Sequence, residues 1–148
     1  MFSLLTSTRG SWAMLPIRLA LGVIFIAHGS QKVFGAFGGA GFDAWINTPV
    51  QLTLPAWSPP LRFWLTCAAF AELLGGALVF LGLLTRVGAL LLAIVMSVAL
   101  YFVHWRYGFF LHDNGIDGIE YVFALLCCCI ALLIDGGGRV SFDGRNSA

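Results

Sequence analysis

The sequence predicts an all-α, integral membrane protein: a four-helix transmembrane bundle with a long first extracytoplasmic loop. Three observations carry this reading. The 148 residues are 59% hydrophobic and only 10% charged, whereas a soluble domain is about 25% charged. Mean hydropathy is +0.91. The apolar residues gather into runs long enough to cross a bilayer, which takes about 20 residues each, and the length leaves room for about four such runs joined by short loops. The formal net charge of +1 provides no basic field for nucleic acid, so nucleic-acid binding is excluded.

The first span is expected over about residues 12–34. Trp12 fits an interfacial anchor, and Pro16 is tolerated near the start of a helix, where a missing N–H costs little. The preceding residues lack a signal-peptide layout, so this span is read as retained. It is apolar, yet Arg18, His28, Gln31 and Lys32 are written into it. Arg18, Phe25 and Lys32 are seven residues apart, and His28 falls between the last two, so they share one helical stripe with Gln31 beside it. A polar stripe on a membrane helix must face protein or water inside a bundle.

Gly35 to Pro60 forms the long loop. Its glycines permit tight paths and its prolines stop helices. Its aromatic and aliphatic content predicts a short interfacial helix or re-entrant piece around Phe42 to Leu54, lying on the bundle. The second span is expected over 61–84, with Glu72 near mid-depth and Gly75, Gly76 and Gly82 allowing close helix contact. Residues 82–86 (GLLTR) form a tight turn. The third span, 87–105, carries Ser97, Tyr101 and His104 along one edge. The fourth, 116–134, opens at Glu120 and Tyr121, and 135–148 reads as a polar tail. The distribution of Arg and Lys predicts a plasma-membrane protein with both termini cytoplasmic.

That topology puts His28, Gln31, Lys32, Glu72, Tyr101, His104 and Glu120 in the outer half, while Arg18 lies deeper, toward the inner side. The outer residues form a candidate binding cavity, Arg18 is a further candidate ligand-binding residue, and Glu72, His28 and His104 are the candidate proton-exchange groups. Glu72 carries the most weight, because a carboxyl at mid-span costs roughly 2.5–3.5 kcal/mol on insertion scales and must be paired or protonated. Metal binding is not expected: there is no H-E-x-x-H, E-x-x-H or C-x-x-C-H spacing. Cys67, Cys127, Cys128 and Cys129 lie in apolar runs and read as small hydrophobes.

The stretches RLALGVIFIAHGSQKVFGAFGG, AAFAELLGGALVFLGLLTRVGAL, FFLHDNGIDGIEYVFALL and DGGGRVSFD resemble, in order, the DoxX family of small four-helix bacterial membrane proteins. The resemblance runs from about Arg18 to Asp143. Matching polar positions are Arg18, His28, Gln31, Lys32, Glu72, Arg86, His104 and Glu120. Family members resemble the membrane subunit of thiosulfate:quinone oxidoreductase or are associated with membrane oxidoreductase complexes. The resemblance therefore implies a bacterial inner-membrane component of a redox system.

The expected guest of the outer cavity is a quinone or another small redox-active molecule. No covalently bound cofactor is expected, and the chain shows no electron carrier of its own. Any enzymatic role would be that of an oxidoreductase subunit fed by a partner or by substrate. Besides the lipid bilayer, the sequence leaves open a soluble or membrane oxidoreductase partner and a homo-oligomer. Two alternatives stand beside this reading: a non-catalytic anchor or assembly subunit for an oxidoreductase, and a small proton-coupled transporter.

Overall fold

In the computed structural model, which describes residues 10–49, 54, 57–111 and 118–145, the chain is helical and contains no strand among those residues. Helix α1 spans Met14–Phe34 and is followed by a 3-10 turn at Ala36–Gly38 and a short α2 at Phe42–Ile46. Helix α3 spans Leu61–Leu81. Helix α4 begins at Thr85–Val98 and continues as a π-helical turn, Ala99–His104, and a 3-10 turn, Trp105–Tyr107. Helix α5 is Glu120–Asp135, and a single turn, α6, covers Phe142–Arg145.

Three segments are long and apolar enough to cross a membrane: Met14–Phe34, Leu61–Leu81 and Thr85–Tyr107. Helix α5 has 16 residues and is about 24 Å long at 1.5 Å per residue. The fourth run thus starts later than the expected residue 116. Gly118 and Ile119 are not helical, and 116–117 lie outside the described residues. The expected helix in the long loop is present but short, ending at Ile46. Residues 50–53, in the rest of that expected piece, also lie outside the described residues.

Each long helix buries one stripe. Met14, Arg18, Leu21 and Phe25 face inward on α1, Leu65, Ala69, Glu72, Gly76 and Val79 on α3, and Val122, Leu125, Cys129 and Leu132 on α5. These spacings of three and four are those of a helix packed along a neighbour. The core therefore runs the length of the bundle through Leu21, Phe25, Val79, Leu92, Cys129 and Leu132. Large apolar residues on the opposite faces, among them Val23, Leu74, Leu90, Ile94 and Ile134, are exposed, as lipid-facing positions are in a membrane protein.

Small residues set the closest approaches. A Cβ on Gly29 would lie 2.6 Å from the Leu73 backbone nitrogen, and one on Gly88 would lie 2.9 Å from the Gly75 carbonyl oxygen. Helix α3 is therefore in backbone contact with α1 on one side and α4 on the other. It ends at Gly82, whose φ of 69° is left-handed. The Gly82 and Leu83 amides donate to Val79 O and Leu78 O at 3.1 and 3.0 Å, a Schellman closure. The expected tight turn at 82–86 is thus present.

The stretch read from sequence as a polar tail folds back onto the bundle. Gly136, Gly137, Gly138, Ser141 and Asp143 are buried. Asp143 accepts hydrogen bonds from Leu84 N at 2.9 Å, Thr85 N at 2.8 Å and Thr85 Oγ1 at 2.8 Å. Leu84 holds the N-cap position of α4 and makes no side-chain cap, so the missing cap comes from 59 residues away. A carboxylate there also meets the positive end of the helix dipole.

Candidate functional site

Of the eight residues singled out from sequence, the fold brings two into direct contact. Lys32 Nζ donates to both carboxylate oxygens of Glu72. Glu72 is 4% exposed and the Lys32 side chain 19%, so the pair bridges α1 and α3 largely out of solvent, where the attraction between the charges is less screened than at a surface. The Lys32 ammonium also lies 4.6 Å from the centroid of the Trp45 ring, a favourable cation–π distance.

The glycine loop explains why Trp45 is there. Gly35 closes α1 with φ 67, and the chain then turns back so that Gly41 N donates to Gln31 O at 3.1 Å. That seats α2 across the ends of α1 and α3. The indole N–H of Trp45 donates to Leu65 O at 2.8 Å, fixing the ring over Lys32. Gln31 is half-buried beneath this turn, its backbone in close contact with Gly39.

The other residues stand apart. His28, one turn before Lys32, is exposed. Tyr101 is 66% exposed on the π-helical turn, its ring edge-on to Phe102 at 4.9 Å. His104 is half-buried at the end of that turn. Glu120 accepts a hydrogen bond from Leu111 N at 3.1 Å. It thereby closes a loop also held by Ile119 N to Gly108 O at 3.0 Å and Glu120 N to Phe109 O at 2.9 Å.

Arg18 lies about 21 Å from Lys32 along α1, from fourteen residues at 1.5 Å each. It is buried, and its guanidinium is spent on carbonyls. Nε donates to Val79 O and Nη2 to Phe80 O, both at 2.9 Å. Nη1 donates to Gly137 O at 2.9 Å and Val140 O at 2.5 Å. Asp143 adds an electrostatic attraction. Arg18 thus ties the end of α3 to the returning tail, and Arg86 ties α4 to α5 by donating to Ile134 O at 2.9 Å.

An apolar groove of about 420 Å³ lies between α3 and α4, with Ser58, Trp64, Cys67, Ala71, Ile94 and Phe102 in its walls. None of the eight sequence-derived residues lines it. Glu72 follows Ala71 but is turned about 100° around the helix, toward α1. Among the described residues, no three His, Cys, Asp or Glu side chains converge on one point.

Two residues central to this arrangement were not singled out from sequence. Asp143 lay in a segment read as solvated tail; the signal that could have found it is the uncapped start of α4 at Leu84–Thr85. Trp45 lay in the loop, and its only signal was an aromatic ring placed to cover a cation nearby.

The sequence matches the DoxX family over residues 13–105. The chain is 32% identical to the Mycobacterium tuberculosis membrane protein Rv3486, across 97% of this chain and 86% of that protein. It is 30% identical to the Bacillus subtilis protein named "Putative oxidoreductase CatD", across 87% of this chain and 83% of that protein. No solved structure matches it significantly. With its apolar helices and a family match over more than half its length, the chain is a membrane protein belonging to the DoxX family.

Proposed function

We propose that this protein is a redox-associated membrane subunit that seats a partner oxidoreductase at the bilayer. The observation that carries the proposal is how its buried charges are used. Arg18 is taken by four carbonyls, Lys32 and Glu72 by each other, and Asp143 by the start of α4. These groups act as an internal hydrogen-bonded frame, as an anchor requires, rather than as the lining of an open polar chamber. The name of the Bacillus relative supports the association with redox chemistry. In this reading the electrons belong to the partner.

Helix α5 is the fourth span, shorter than the other three and packed along α4. Arg86, Arg139 and Arg145 gather at the end of the bundle where α1 and α4 begin, which favours a cytoplasmic location for that end in the bacterial inner membrane. The opposite end offers Tyr101, Trp105, Phe109 and Phe110, all exposed, as the seat for the partner. Such aromatic residues are enriched at binding surfaces.

The test is gentle isolation of the full chain from its own membrane, followed by size separation and absorbance spectroscopy. The expected result is a second polypeptide carrying flavin or haem absorbance at fixed ratio, lost in Phe110→Glu and kept in Arg62→Gln. Recovery of the chain with no such polypeptide would overturn the reading.

The groove between α3 and α4 favours a second reading, in which the chain holds a quinone-like molecule. Its volume and its Trp64, Ile94 and Phe102 walls suit a flat ring and an isoprenoid tail. Polar anchors for the ring carbonyls are sparse: Ser58 already receives the Trp64 indole N–H at 3.0 Å and donates to Pro59 O at 3.1 Å. A bound quinone would supply two-electron, two-proton chemistry. Glu72 would serve it as a proton group only after separating from Lys32. Ala71→Trp fills the groove, so lipid extracts of that variant should lose a co-purifying quinone while the partner is kept.

A further inference from the structure

We propose that a cleft at the end of the bundle where α1 and α4 begin binds the phosphate headgroup of an anionic phospholipid. The cleft measures about 480 Å³ and is lined by Trp12, Arg139, Val140, Ser141, Phe142 and Arg145. The returning tail builds it. Arg139 N donates to Ser11 O at 3.1 Å, which lays the tail beside the residues that lead into α1. The Arg139 guanidinium sits 5.9 Å from the Trp12 ring centroid. Arg145 closes the other side from α6.

The charge in this cleft is positive, with no carboxylate paired to it among the described residues. Both arginines are exposed, and neither forms a salt bridge among the described residues. The nearest acidic group in sequence, Asp143, is buried and committed to Leu84 and Thr85. The Ser141 hydroxyl is likewise occupied, donating to Gly138 O at 2.7 Å and accepting from Gly144 N at 2.8 Å. Two guanidinium groups therefore remain as the cleft's donors. Their planar forks match the oxygens of a phosphodiester.

The apolar part of the same cleft selects a lipid over free phosphate or an acidic peptide. Trp12 is 61% exposed and Phe142 50%, with Val140 beside them. Trp12 stands two residues before α1 starts and shares the cleft with Val140 and Phe142 of the returning tail, at the level where a membrane helix leaves the hydrocarbon. A tryptophan, a phenylalanine and two arginines at that level meet headgroup and glycerol together. The tail thus holds the bundle end against an anionic surface, and it does so whether or not the chain seats a partner enzyme.

The experiment uses the purified full chain in detergent. It is titrated with phosphatidylglycerol, with phosphatidylcholine and with inorganic phosphate, and bound lipid is counted by native mass spectrometry. Phosphatidylglycerol should bind in preference to phosphatidylcholine. Removing one arginine (Arg139→Gln or Arg145→Gln) should weaken binding about fivefold, and removing both on the order of twenty-five-fold, from about 1 kcal/mol per cation at an anionic surface. The charge-keeping double variant Arg139→Lys and Arg145→Lys should bind more weakly than the parent but more tightly than the double glutamine variant, and Arg62→Gln, at the other end, should change nothing. Helicity and melting of each variant guard against loss through misfolding. Equal binding of the two lipids overturns the proposal. So does unchanged binding in a folded variant lacking both arginines, and so does full displacement of phosphatidylglycerol by inorganic phosphate.

Discussion

Replacing Asp143 with alanine tests whether the segment after α5 is a working part of the bundle. The carboxylate receives three hydrogen bonds at 2.8–2.9 Å, two from backbone amides at the start of α4 and one from Thr85 Oγ1. Loss of a helix cap costs about 1–2 kcal/mol. Leaving a second buried donor without an acceptor, and removing the negative charge that attracts Arg18, adds about 1–2 kcal/mol more. The expected total is about 2–4 kcal/mol. For a domain of this size that lowers the midpoint of thermal unfolding by about 5–15 °C. Asp143→Asn keeps one acceptor oxygen but turns an NH2 group toward a backbone N–H, so it should fall by roughly half as much.

The assay is the temperature at which half the detergent-solubilised protein stays monodisperse on size exclusion. Asp43→Ala serves as the control, because Asp43 is exposed on α2. Truncation after Asp135 should be more damaging than either substitution, since it also removes the Gly137 and Val140 carbonyls from Arg18. If Asp143→Ala and the truncation both melt within about 2 °C of the parent, the tail is a solvated appendage and the reasoning fails.

Three further predictions follow from the packing. Lys32→Met should destabilise by about 3–5 kcal/mol, since it strands the buried Glu72 carboxylate, Glu72→Leu by less, since the half-buried Lys32 can still reach water, and the double variant should recover most of the loss; thermal melts of all four proteins decide it, and additive losses would deny the coupling. Trp45→Phe keeps a ring near Lys32 but loses the 2.8 Å bond to Leu65 O, so melting should report about 1 kcal/mol, with faster proteolysis in the Gly35–Pro60 loop as the second readout. Gly29→Val places a side chain against the Leu73 backbone and should cost more than about 2 kcal/mol; a folded, equally stable variant would show that α1 and α3 are not held at this distance.

Much of the fold was legible because membrane insertion writes itself into composition. The apolar runs behind α1, α3 and α4 are visible without any packing information, and so are the Gly82 turn and the short helix in the first loop. The Lys32–Glu72 pair was partly legible too. Opposite charges set at one depth on two spans must find each other or pay heavily. Pairing was still only one of several options, because depth follows from counting residues while direction around a helix depends on which neighbour it meets. That is why His28 and Tyr101, placed in the same chamber by depth, are exposed. Arg18 was set apart by its place along the helix, but its partners could not be read. They are backbone carbonyls, and every residue has one. Asp143 was hidden for a related reason: DGGGRVSFD has the composition of a solvated segment, and its role appears only against the empty cap position of α4.

The contacts of α1 have a consequence for how the chain is made. Synthesis delivers Arg18 and Lys32 to the membrane first, yet Glu72 comes 40 residues after Lys32, and the Gly137 and Val140 carbonyls come 119 and 122 residues after Arg18. A first span released alone into lipid would carry two unmatched cations, one near each of its ends. The charge on Lys32 is answered when α3 arrives. That on Arg18 is answered in full only when Gly137 and Val140 have emerged. The contacts of α1 are therefore completed late, and an interrupted chain announces itself by an arginine left half-satisfied inside the membrane.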